Sequence, residues 1–98
     1  MRVISGEKRG LKLNTLEGDN TRPTLDRVKE SLFNIIDSRI DDSIVLDLFA
    51  GSGAIGIEFL SRGCRTAYLC DNSIKAINMI RQNLEKTRLQ ENAEVINK

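Results

Sequence analysis

Apolar positions along the chain fall into short runs separated by polar breaks, and the period inside each run changes along the sequence. Residues 2–13, RVISGEKRGLKL, hold two short runs, Arg2 to Ser5 and Gly10 to Leu13, around a Gly-Glu-Lys-Arg-Gly centre, which predicts a β-hairpin. Asn14 to Arg22 is polar, contains Gly18, Asp19 and Asn20, and reads as a loop. Leu25, Val28, Leu32, Ile35 and Ile36 then recur at helical spacing. An amphipathic helix over 24–38, entered at Pro23 and Thr24, is expected, with Arg27, Lys29 and Glu30 on its polar face. Glu30 stands within reach of Arg27 and Asn34 for pairing along the helix surface.

After the break at Asp41-Asp42-Ser43 comes Ile44-Val45-Leu46-Asp47-Leu48, a nearly continuous apolar run of the kind a buried parallel strand shows. A glycine turn and a short apolar helix of about residues 53–62 follow, closed by Arg62-Gly63, a cation in the last turn and a glycine just past it. Thr66 to Cys70 is a second strand. Asp71-Asn72-Ser73 opens a third helix with Ile74, Ile77, Ile80 and Leu84 on its apolar side, and Glu94-Val95-Ile96 begins a third strand. Strand, helix, strand, helix, strand with short connections predicts a parallel α/β sheet.

Ninety-eight residues suit one domain near the low end for a self-sufficient core. A net charge of +1 gives no global polyanion signature, so any nucleic-acid site has to be a local patch. No apolar run approaches a bilayer span and MRVISGEKRG lacks the apolar centre of a signal peptide, which points to the cytoplasm. Cys64 and Cys70 form no CxxC pair and are expected to stay reduced in the core. The chain has no histidine, which removes Ser-His-Asp and Cys-His chemistry and the commonest zinc sites, and no metal site is expected.

The candidate chemistry sits in VLDLFAGSGAIG, Val45 to Gly56. A strand running into GxGxxG and then a helix aims backbone N–H groups and a positive helix end into a cleft. Gly51 and Gly53 permit the tight turn and a ligand's approach, and Gly56 lets helix and strand pack closely. No Gly-Lys-Ser/Thr follows, so this is not a Walker-type phosphate loop. Asp47, four positions before the first glycine, would repel a pyrophosphate but attract a cationic ligand. S-adenosylmethionine, with its ammonium and sulfonium, fits that preference better than a dinucleotide. Asp71, at the end of the second strand and about 20 residues after the loop, suits the ribose hydroxyls of any adenosine ligand, a reading its coincident strand-end and glycine-loop placement favours over that of a plain helix N-terminal acid.

At this point the residues resemble a known family. VLDLFAGSGAIGIEFLSRG, preceded by TRPTLDRVKESLFNII and by RVISGEKRGLKL, resembles the bacterial 16S rRNA guanine methyltransferases that modify the exocyclic amine of one guanine. The glycine segment is shared by many methyltransferases. Thr-Arg-Pro-Thr with Arg27, Glu30, Phe33 and Asn34 is the more specific part. The resemblance implies a Rossmann-like S-adenosylmethionine methyltransferase core, a parallel sheet with helices on both faces, carrying an N-terminal hairpin. It implies that Asp47, Phe49, Ala50, Gly51, Ser52 and Gly53 form the cofactor loop, and that Asp71, where the family usually has Glu, takes the ribose beside Asn72 and Ser73. Lys8, Arg9, Arg22 and Arg27 would face the substrate RNA, whether free 16S rRNA or a small-subunit assembly particle. Arg2, Lys8, Arg9 and Lys12 also suit a solvated hairpin guarding an edge strand.

Amino methyltransferases of this type carry an Asn/Asp-Pro-Pro-Tyr/Phe tetrapeptide after the fourth strand. The only proline here is Pro23, so the catalytic residues are expected beyond Lys98 and the sheet is expected to be truncated after about three parallel strands. Residues 1–98 then read as one partial methyltransferase domain, with 1–22 the hairpin and loop and 23–98 a helix plus the cofactor-binding half of the sheet. The chain by itself is expected to be inactive, and its first strand, central in the family's sheet, to expose an edge prone to self-association. Two rival readings stand beside this one: a nicotinamide- or flavin-binding oxidoreductase domain, and a non-catalytic RNA- or protein-interaction fragment.

Overall fold

The computed structural model describes residues 2–14 and 23–98, giving the backbone alone for residues 23–26. The expected loop beyond Asn14, and Arg22 with it, lies outside the described residues. Helix α1 (Pro23–Ile36) runs into a 3-10 turn at Asp37–Arg39 and leads to β1 (Ile44–Asp47), α2 (Ala54–Ser61), β2 (Thr66–Asp71), α3 (Ile74–Thr87) and β3 (Ala93–Asn97). The three strands are parallel in the order β1-β2-β3, with Val45 opposite Ala67 and Leu69 opposite Val95. No helix among the described residues is long and apolar enough to cross a membrane.

Both crossovers step the same way across the sheet, and right-handed connections that do so place their helices on one face. That face carries Val45, Ala67, Leu69, Ala93 and Val95, which share a core with Ile57 and Leu60 of α2 and Ile77, Ile80 and Leu84 of α3. Strand alternation puts Ile44, Leu46 and Tyr68 on the opposite face, where Ile44 is 64% exposed. Helices on both faces were expected, and among the described residues only one face is covered. Covering the other takes a connection that reverses direction at β1, since neither observed crossover can reach it.

Helix α1 forms where its periodicity predicts but docks through a different stripe. Lys29, Phe33 and Ile36 turn inward, while Val28, Leu32 and Ile35 of the expected apolar face are exposed, Ile35 to 80%. Phe33 meets Phe59 of α2 edge-on with ring centroids 4.6 Å apart, and the Arg62 guanidinium lies 4.8 Å from the Phe33 ring centre. Lys29, expected on the polar face, is 2% exposed because Glu58 of α2 is buried within 3.3 Å of its ammonium. Ile74, expected on the buried side of α3, is exposed at the helix's first turn, and the docked stripe there runs Ala76, Ile77, Ile80, Asn83, Leu84, Thr87.

The N-terminal hairpin is an arm closed by one antiparallel bridge, Arg2 with Lys12, and held by Val3 N–H to Leu11 O and Gly10 N–H to Val3 O, each 2.8 Å. Its backbone is fastened to the helices rather than extended into a long ladder. Glu58 accepts from the N–H groups of Ile4 and Ser5 at 2.9 and 3.1 Å, the Ser61 hydroxyl accepts from Lys8 N–H and donates to Ser5 O, and Lys29 donates to Arg2 O.

Candidate functional site

The carboxyl ends of β1 and β2 meet the glycine loop in one cleft. Asp47 closes β1, and Asp71 closes β2 two residues past the register partner of Asp47. Between strand and helix, Gly51 and Gly53 adopt φ of +57° and +84°, in the left-handed region where a Cβ is disfavoured. The turn closes through Gly53 N–H to Ala50 O at 2.8 Å, and Ala50 N–H ties the loop to β2 through Cys70 O at 3.0 Å. A side chain added at Gly51 would meet open space, so the cleft has room directly over the loop. Gly56 serves packing instead, since a Cβ there would run into the Leu69 side chain. The tight turn expected at Gly51 and Gly53 and the close helix–strand packing expected at Gly56 are both seen in the geometry.

Asp71 organises the cleft. One carboxylate oxygen accepts from Gly51 N–H at 3.0 Å and the other from Ser73 N–H at 2.9 Å. Those two donors, Ser73 first, hold its pKa below the usual aspartate value. Each oxygen keeps a further lone pair, so the group can also take hydroxyls. Ser73 caps α3 by accepting from Ala76 N–H at 3.3 Å, which makes the acid both loop brace and helix-terminal group.

Asp47 behaves oppositely. Burial pushes its pKa up, the Phe49 N–H pulls it down, and the neighbouring charge of Asp71 adds to the upward push. Two carboxylates, one of them poorly solvated, thus share a cleft, and a bound cation would relieve the strain between them. A pyrophosphate would add to it. The residues present therefore fit a ligand with positive charge better than one with a pyrophosphate.

The other expected loop residues divide. Ala50 and Gly53 are buried, Gly51, Ser52 and Ser73 half-buried, Asn72 exposed, and Phe49 stands 89% exposed beside the cleft. Of the basic residues, Arg9 and Arg27 are exposed on the arm and α1, and Lys8 is partly covered, with Glu7 3.8 Å from its ammonium. Sequence reading missed Asn83 and its partner Asn14, which the Asn83 amide binds through two hydrogen bonds. The available signal was a polar residue on the apolar stripe of α3. Cys64 and Cys70 are free thiols, and burial pushes the Cys64 pKa up to about 11. A groove of about 550 Å³ lies elsewhere, between α3 and β3, and shares no residue with the cleft.

A family model described as Conserved hypothetical protein 95 matches residues 1–98. The chain is 50% identical to YlbH of Bacillus subtilis over 95 residues, covering 97% of this chain and 52% of that protein. It is 43% identical to Ribosomal RNA small subunit methyltransferase D of Haemophilus influenzae over 98 residues, covering 99% of this chain and 51% of that one. The solved structure of yhhF from Escherichia coli superposes with a TM-score of 0.86 at 42% identity, over 100% of this chain and 52% of that one. The chain spans about half the length of the curated relatives it matches.

Proposed function

The chain belongs to the family described as Conserved hypothetical protein 95, and from that premise we propose that it is the cofactor-binding half of an S-adenosylmethionine-dependent methyltransferase acting on a guanine exocyclic amine in 16S rRNA. The observation that carries the cofactor reading is the cleft itself, where a glycine turn with open space above Gly51 lies between a desolvated carboxylate at Asp47 and a backbone-braced one at Asp71. The rRNA substrate comes from the relative named Ribosomal RNA small subunit methyltransferase D, and the choice of guanine amine from the sequence resemblance.

In this reading Asp47 faces the cationic end of the cofactor and Asp71 its ribose, while the loop from Phe49 to Gly53 and the start of α3 at Asn72 and Ser73 enclose the rest. S-adenosylmethionine supplies an electrophilic methyl on sulfonium. The residues of this chain contribute orientation rather than a nucleophile, consistent with a chain that has no histidine and a Cys64 thiol that burial holds protonated. Residues 23–98 serve as the cofactor half and 1–22 as the arm and loop, within one domain. The Asn/Asp-Pro-Pro-Tyr/Phe tetrapeptide that would grip the target amine is absent from these 98 residues, so the chain alone gives no turnover.

Lys8, Arg9, Arg22 and Arg27 meet RNA phosphates, with the cytoplasm as the setting and either 16S rRNA or an assembling small subunit as the partner. Ultraviolet cross-linking of tritiated S-adenosylmethionine tests the cofactor assignment. Label in the peptide holding Gly51 to Gly53, competed by S-adenosylhomocysteine and not by NAD, is expected. Competition by NAD alone would instead favour the dinucleotide reading.

A further inference from the structure

Asn83 has no solvent exposure and sits on the docked stripe of α3 between Ile80 and Thr87. Its amide makes three hydrogen bonds, all to backbone and each 2.8 Å long. The side-chain oxygen accepts from Asn14 N–H, and the nitrogen donates to Asn14 O and to Ser52 O. Asn14 ends the described part of the arm, and Ser52 is the central residue of the glycine turn. One buried side chain therefore holds both.

The Ser52 contact fixes more than a distance. Ser52 C=O and Gly53 N–H belong to one planar peptide unit, so anchoring the carbonyl sets where the N–H points. Here it points to Ala50 O and closes the turn. The unit lies between Ser52 and Gly53, and Gly53, at positive φ, offers little resistance to its rotation. The Asn83 amide supplies that resistance, and its other two bonds make the arm share in it.

We infer that Asn83 is a positioning residue that couples the N-terminal arm to the glycine loop, so that seating of the arm on RNA and seating of a ligand on the loop affect one another. By linkage the coupling runs equally in both directions. The inference rests on the reading of the loop as the cofactor site, but the coupling itself can be measured without any cofactor.

The test is amide hydrogen exchange by NMR on the 98-residue chain. Asp71→Ala removes the acceptor for Gly51 N–H and perturbs the loop from the side away from the arm. Exchange at Asn14 should then quicken about fivefold or more, the lower range of site-to-site couplings, relative to the amide of the fully buried Leu69 in the central strand β2 as a monitor of global opening. In the Asn83→Ser background, or in Asn83→Asp, which keeps an acceptor for Asn14 N–H and loses the amide donors, Asp71→Ala should leave the Asn14 rate unchanged. Faster exchange at Gly51 and Gly53 with none at Asn14 would overturn the proposal, and that comparison needs no Asn83 variant to fold. Adding S-adenosylmethionine to the native chain should slow Asn14. Transmission from Asp71 without any response to S-adenosylmethionine would support the coupling and count against the cofactor reading.

Discussion

Asp47 and Asp71 end neighbouring strands and titrate in opposite directions, and the reason lies in which donors each can reach. Asp71 has two backbone N–H groups on its oxygens, whereas Asp47 is desolvated with one opposing donor and a like charge nearby. For Asp47 the folded pKa lies above the unfolded one, so the native state binds more protons between those values and stability falls as pH rises through that window. Asp47→Asn is expected to raise the melting temperature of the ligand-free chain at neutral pH and to weaken S-adenosylmethionine about tenfold or more, the scale of one lost charge-assisted contact. Affinity in the native chain should drop on acidification through the raised Asp47 pKa, and the variant should lose that dependence. Calorimetry from neutral to mildly acid pH checks both. A variant that is destabilised and binds equally well would remove Asp47 from the site.

At the scale of elements, burial is decided by partners that are distant in sequence. Helix α1 has two apolar stripes, and the one that docks includes a lysine because Glu58, on α2, is waiting for it. Glu58 also takes Arg62 Nε at 2.8 Å and two arm N–H groups, and Arg62 reaches Asp37 at 3.1 Å, so the charges balance within the cluster. Breaking a buried pair from one side leaves the other charge uncompensated and typically costs about 3–5 kcal/mol. Glu58→Gln should lose stability on that scale by chemical denaturation and release the arm, seen as faster exchange at Ile4 and Ser5. A loss below about 1 kcal/mol would mean the cluster is solvated.

Gly56→Ala should cost about 1–3 kcal/mol by forcing Leu69 from its packed position, while a neutral result would show that the helix can lift away from β2. Sequence period was enough to find β1, β2 and α3 and to place Asp47 and Asp71 at strand ends, because those signals are local. They were not enough for the docked face of α1 or for the Asn83 junction, whose bond to Asn14 spans 69 positions.

At the scale of the whole molecule, the two same-way crossovers leave β1 as a sheet edge and one sheet face bare among the described residues. Ile44, Leu46 and Leu48 on the strand and Val28, Leu32 and Ile35 on α1 are all large apolar residues exposed to water, and contiguous apolar surface of that kind marks contact sites. An unpaired apolar strand edge invites pairing with another copy. Sedimentation of the chain should show mass increasing with concentration, and Leu46→Lys, on the bare face, should shift it toward monomer without lowering the melting temperature. A monomer across the accessible range would contradict this.

The same topology puts the proposed ligand cleft at β1, beside that edge, where the loop, Asp47, Asp71, Asn72 and Ser73 would hold the ligand. The most direct test of the account is calorimetric titration of the 98-residue chain with S-adenosylmethionine and with NAD, repeated on Asp71→Ala. The account predicts saturable binding of S-adenosylmethionine, abolished by the substitution, and none of NAD. Binding of NAD in preference, or S-adenosylmethionine binding that survives the loss of Asp71, would contradict it.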